Sequence, residues 1–224
     1  MTISITVSGS ADATYPPERA RVSLTVRAAR SERETAASEV ATAQARLRDE
    51  LTELESRGVL TTWSSGNVAS YSYRPWDRDG NQLDPEHVAQ VGIEATFADL
   101  EAISPAVDRW LRDPLVSMHD VYWHLTKDSR RQRSAEVRRT AVEDAVMKAQ
   151  AYADALGAGA VEPIEIADQG MLQRGTPGAG PRQAYAMAAP GGAPGGSAPE
   201  AIELSPKDIT LRVSVEARFS AQTR

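Results

Sequence analysis

Ile209-Thr210-Leu211-Arg212-Val213-Ser214-Val215 alternates apolar and polar residues without a break. A period of two belongs to a strand with one buried face and one wet face. The alternation runs on to Phe219, so residues 208–219 read as one strand. Before it, residues 170–206 hold 8 of the 15 glycines and 6 of the 13 prolines. Such a segment cannot bury enough apolar surface to offset its ordering entropy. A strict strand beyond it means that the chain comes back to a sheet. The segment therefore reads as a mobile excursion within a single domain spanning 1–224, not as a linker. The returning strand is expected beside residues 160–168, which carry Val161, Ile164 and Ile166.

Working outward, residues 129–156 predict a long helix with a stripe of Ala135, Ala141 or Val142, Ala145, Ala149, Tyr152 and Leu156, ended by Gly157. Residues 115–126 predict a strand with Val121, Trp123 and Leu125 inward. A short helix is expected over about 100–112, capped by Asp99 or by Ser104 with Pro105 at its first position, and stopped by Pro114. Residues 88–98 predict a strand with Val91, Ile93, Ala95 and Phe97 on one face. Residues 60–73 predict a poorer strand, at an edge or bulged, in which Trp63, Tyr71 and Tyr73 share one parity. Between these two, residues 74–86 are a turn-rich loop containing Asp79-Gly80.

The N-terminal part opens with alternating residues 3–13, in which Gly9 suggests a bulge. Tyr15-Pro16-Pro17 makes a turn, and residues 19–29 alternate again. The two runs predict an antiparallel hairpin. Ser31 and Glu34 form a capping box for a helix of about 26 residues, roughly 39 Å long. Its stripe is Ala36, Val40, Ala43, Leu47, Leu51 and Leu54, and Gly58 ends it. The fold class is α+β: antiparallel sheets with two long helices and one short one packed on them, in two similar halves.

Composition narrows the function. The chain has 224 residues, a net charge of −6 and no cysteine. Disulfides and thiolate metal sites are excluded, and the acidic balance argues against a dedicated nucleic-acid binder. No apolar run is long enough for a transmembrane segment. Met1 leads straight into a strand without the basic start and apolar stretch of a signal peptide, which predicts a cytoplasmic protein.

No catalytic constellation is visible, so the chain is expected not to be an enzyme and to use no cofactor. His119 and His124 lie five positions apart on one strand, on opposite faces unless a bulge intervenes. With His87, they read as surface or satisfied core histidines. Asp77, Asp79, Asp84 and Glu86 crowd one loop. The EF-hand spacing fails there, because Val88 stands where the bidentate glutamate belongs. They read as a solvated hairpin tip with an Asp-Gly turn. Pro190-Gly191-Gly192-Ala193-Pro194-Gly195-Gly196-Ser197 lacks the lysine and the strand–helix setting of a phosphate loop. Arg130, Arg131, Arg133, Arg138 and Arg139 make the start of the third helix basic. Glu136, Glu143 and Asp144 beside them favour a solvated face or an acidic protein partner over phosphate contacts.

Trp76, next to Arg74 and Pro75, is the aromatic residue expected to be most exposed, the alternative being a loop tryptophan folded onto the sheet. Tryptophan and arginine are enriched at binding hot spots. Tyr71, Tyr73, Arg74 and Trp76 are therefore the candidate protein-contact residues, between subunits or with another protein.

The opening Ile3-to-Gly9 run, the strand Arg19–Arg30, the alanine-rich helix, the small-residue and proline excursion and the closing Thr210–Phe219 strand together resemble the SIMPL-domain family, over nearly the whole chain. The resemblance implies an α+β fold, homo-oligomers in at least one member, a link to oxidative-stress tolerance and no known catalytic residues. Bacterial members are mostly exported, and this chain departs from them in showing no export signal. The leading expectation is a non-enzymatic, self-assembling interaction or scaffold protein. The alternatives are a small-molecule-binding protein or enzyme with a pocket between the two halves, and nucleic-acid contact through the arginine-rich third helix.

Overall fold

In a computed structural model, residues 1–172 and 204–223 are described, and eight strands and three helices follow the order expected of an α+β chain. The strands are β1 (Thr2–Tyr15), β2 (Arg19–Arg30), β3 (Leu60–Ser65), β4 (Ala69–Tyr73), β5 (Glu86–Phe97), β6 (Val116–His124), β7 (Glu162–Asp168) and β8 (Ile209–Gln222). The helices are α1 (Arg33–Ser56), α2 (Ile103–Trp110) and α3 (Lys127–Ala155). Most of the glycine- and proline-rich excursion, residues 173–203, lies outside the described residues.

Two compact units are formed. The first contains β1, the chain from Lys127 through α3 and β7, and β8 from Thr210 onward. Its three-stranded sheet has the order β1-β8-β7. Antiparallel pairing of β7 with β8, from Glu162 opposite Ser220 to Asp168 opposite Val215, bears out the expected return of the last strand. β1 lies along the other side of β8. The Thr223 N–H donates to the Met1 carbonyl at one end, and the Thr14 and Thr210 hydroxyls meet at 3.1 Å at the other.

The core of this unit joins Ile5 and Val7 of β1 and Val215, Ala217, Phe219 and Ala221 of β8 to an alanine stripe on α3. The buried stripe is Val137, Ala141, Ala145, Ala149 and Ala153. This corrects the sequence reading: Ala135, Tyr152 and Leu156 are exposed. Periodicity gives the angle of a side chain about the helix axis, not whether anything covers it. Small residues let the helix backbone come close to the sheet. At Gly9 a Cβ would stand 2.1 Å from the Ala141 carbonyl oxygen. The glycine that suggested a bulge is explained by this close approach. Gly157, at φ +67°, ends α3 as expected.

The second unit runs from Pro16 to Thr126 and takes in the chain returning at Leu204. Its five-stranded sheet has the order β3-β5-β2-β6, with β4 also paired to β5. The predicted β1–β2 hairpin is therefore wrong, since the two strands belong to different sheets. The Tyr15-Pro16-Pro17 turn carries the chain from one sheet to the other. β6, the strand that precedes α3, pairs with β2 and so belongs to this second sheet.

One face of this sheet, with Val22, Leu24 and Val26 of β2 and Val91, Ile93, Ala95 and Phe97 of β5, packs on α1 and α2. The expected α1 stripe is buried in full. The expected capping box is absent. Glu32 takes the N-cap position with no side-chain cap bond, which leaves Ser31 one residue too early to reach the free amides. For α2, Ala102 is the N-cap and neither Asp99 nor Ser104 caps it. Asp99 instead accepts the Glu101 N–H, and Ser104 accepts the Leu204 N–H. Glu50 of α1 accepts both Arg109 Nε at 3.0 Å and Trp110 Nε1 at 3.1 Å, stapling α2 to α1.

Candidate protein-contact site

The region 60–73 forms two strands on the same neighbour. Ser65 pairs with Ile93 and Ala69 with Gln90. Three residues on one side (66–68) thus face two on the other (91–92), and this one-residue slip turns the side chains over. Trp63, opposite Ala95, packs on the core. Tyr71 and Tyr73, of the same sequence parity, project on the opposite face and are 48% and 42% exposed. Every residue of β4 is exposed.

The loop after β4 is an ordered hairpin. Trp76 bridges to Gln82, and the Leu83 N–H donates to the Pro75 carbonyl. Asp77 organises the tip. Its Oδ1 accepts the Asn81 N–H at 2.7 Å and the Asp79 N–H at 3.0 Å, and its Oδ2 accepts Asn81 Nδ2. The Asn81 bonds above all hold the Asp77 carboxyl below its ordinary range. Gly80, at φ +82°, completes the turn. The acidic cluster is thus a hairpin tip in which one carboxylate is used for backbone geometry. Among the described residues, no three of His, Asp and Glu group to hold a metal ion.

The hairpin holds Trp76 at 66% exposure, with Leu83 and Val68 also exposed nearby in the chain. Arg74 is exposed beside it. Tyr73 donates to Glu86 Oε2 at 2.6 Å, and this bond to a carboxylate raises its phenol pKa. The bond fixes the ring against β5 and leaves the rest of it in solvent. The four candidate residues therefore stand on one edge strand and the hairpin that follows it.

Four of the other singled-out residues, His119, His124, Arg131 and Arg133, have partners of their own. β6 does carry a bulge, with His119 as its extra residue. His119 Nε2 lies 2.8 Å from Thr25 Oγ1, and His124 stacks on Tyr122 with its Nδ1 3.0 Å from the Leu125 carbonyl. Arg131 and Arg133 pair with Asp128 and Glu136 of their own helix, and Arg133 also lies over the Tyr15 ring.

A second apolar surface was missed in the sequence. Val142 and Val146 of α3, with Pro163, Ile164 and Ile166 of β7, line a shallow groove of about 260 Å³ floored by Ala217 and Phe219. Two valines four residues apart beside an alanine stripe were the available signal. Ile164 and Ile166 are 58% and 56% exposed on β7, an edge strand with a bulge at Ile164.

Among the described residues, no helix is long and apolar enough to cross a membrane. No curated protein matches the chain. The sequence profile of the family described as SIMPL, protein of unknown function (DUF541), matches residues 5–219, nearly the whole length. The chain belongs to the SIMPL family.

Proposed function

We propose that this protein acts without catalysis, through contacts with other proteins, further copies of itself among them. The observation that carries the reading is the exposed set Tyr71, Tyr73 and Trp76 on β4 and its hairpin, flanked by Arg74 and Leu83. Aromatic and arginine side chains on a rigid support are the common anchors of protein interfaces. The Asp77 bonds make the hairpin such a support, so less entropy is lost on binding. The groove lined by Val142, Val146, Ile164 and Ile166 supports the same reading in the other unit.

The test is Trp76→Ala in the full-length protein, with mass measured by light scattering over a range of concentrations. The expected result is a lower mass than the parent at equal concentration. Equal mass at every concentration, with equal capture of partners, argues against this surface.

A further inference from the structure

Among the described residues, β1 is an edge strand, with β8 on one side and no strand on the other. It is 14 residues long, has no proline and carries no charged side chain before Asp12. The residues Ser4, Thr6, Ser8 and Ser10 bear only hydroxyls. A long, uncharged edge of this kind is what strands use to pair between chains. The opposite edge, β7, is protected by Pro163, a bulge and the acids Glu162, Glu165 and Asp168.

β1 has no proline and no acid before Asp12, but part of its edge is occupied. The Ser10 N–H donates to Asp144 Oδ2 at 2.8 Å. Lys148 Nζ donates to the Ser8 carbonyl at 3.2 Å and to the same Asp144 oxygen at 2.6 Å. One acceptor and one donor thus flank Gly9, as a single residue of a parallel neighbouring strand would place its C=O and N–H. Gly9 makes the approach possible, since its missing side chain lets α3 lie against the strand at Ala141 and Ala145.

We propose that Asp144 and Lys148 form a guard that closes the edge of β1, and that the surface behind the guard fits the same edge of a second copy of this chain. Antiparallel pairing of two β1 edges sets hydroxyl residues against hydroxyl residues with no like charges opposed. An acidic, proline-containing edge such as β7 fits there poorly. The guard is independent of the Trp76 surface. Contacts through Trp76 belong to the native protein, whereas contacts through β1 arise only when the guard is broken.

Full-length Asp144→Ala and Lys148→Met proteins, each with and without Thr6→Lys, are compared with the parent. Hydrogen exchange at Ser10 and mass by light scattering are the readouts. In Asp144→Ala the Ser10 amide exchanges about tenfold faster at low concentration, as loss of one hydrogen bond requires. The mass of both variants rises above the parent's with concentration, and Thr6→Lys cancels the rise by charging the edge. Lys148→Met keeps the Asp144 acceptor and reads the same surface if Asp144→Ala does not fold. Folded variants with the parent's mass overturn the proposal, whether or not Ser10 exchange changes. So does association that survives Thr6→Lys.

Discussion

Asp77 and Tyr73 show how single residues hold the candidate surface in place. The Asp77 carboxyl titrates below its ordinary value of 3.8 because backbone and side-chain N–H groups of Asn81 bind its charged form. Its contribution to the hairpin is present above 3.8 and is lost as pH falls through the lowered folded value. The Asn81 amide resonance should therefore titrate with a midpoint below 3.8, and a midpoint at or above it contradicts the bonding described. Tyr73 has the opposite sign. Donation to Glu86 favours the neutral phenol, so its contribution is present below 10.0 and is lost as pH rises through the raised value. Glu86→Gln should bring the midpoint back toward 10.0, read as the phenolate absorbance that Tyr73→Phe removes. Gly9→Ala belongs to the same scale. The atom it meets is a backbone oxygen that cannot swing aside, so a cost of about 3 kcal/mol in urea unfolding is expected. A neutral substitution contradicts the close approach of α3.

At the scale of elements, the two long helices were legible because a stripe every three or four residues needs no knowledge of the partner. For α1 all six stripe residues are buried; for α3 the reading placed Tyr152 and Leu156 in the core although they are exposed. Leu51→Ala should thus cost about 2–5 kcal/mol, and Leu156→Ala less than about 0.5 kcal/mol, both from denaturant midpoints. Equal costs would contradict the assignment of the buried faces. The strands were harder. Trp63, Tyr71 and Tyr73 share a parity, yet the slip between β3 and β4 puts the tyrosines on the other face. No side-chain pattern announces an extra residue in a polar stretch of Ser, Gly, Asn and Ala. The Ser31–Glu34 box failed for a similar reason, because its signal is accurate only to about a residue.

At the scale of the molecule, element order and class could be read from the chain, and the strand pairing only in part. Adjacent strands usually pair, which favoured a β1–β2 hairpin. The structure instead lays β1 along β8, both 14 residues long, on a helix whose alanines face the Gly9 region. That match of lengths and of small residues was in the sequence, but more than 190 residues separate the partners, and local signals outweigh distant ones in such a reading. The aromatic surface was legible as composition, since a tryptophan beside arginine and proline in a turn-rich loop suggests exposure. Its rigidity was not, because it depends on where the Asp77 carboxylate points.

Whether this protein works through its β4 and hairpin surface can be read by oxidative footprinting of Tyr71, Tyr73 and Trp76 in the native protein at low and high concentration. All three should become protected as the protein assembles, while exposed Tyr152 and Met147 on α3 keep their reactivity. Full reactivity of Trp76 and both tyrosines in the assembled protein would contradict it.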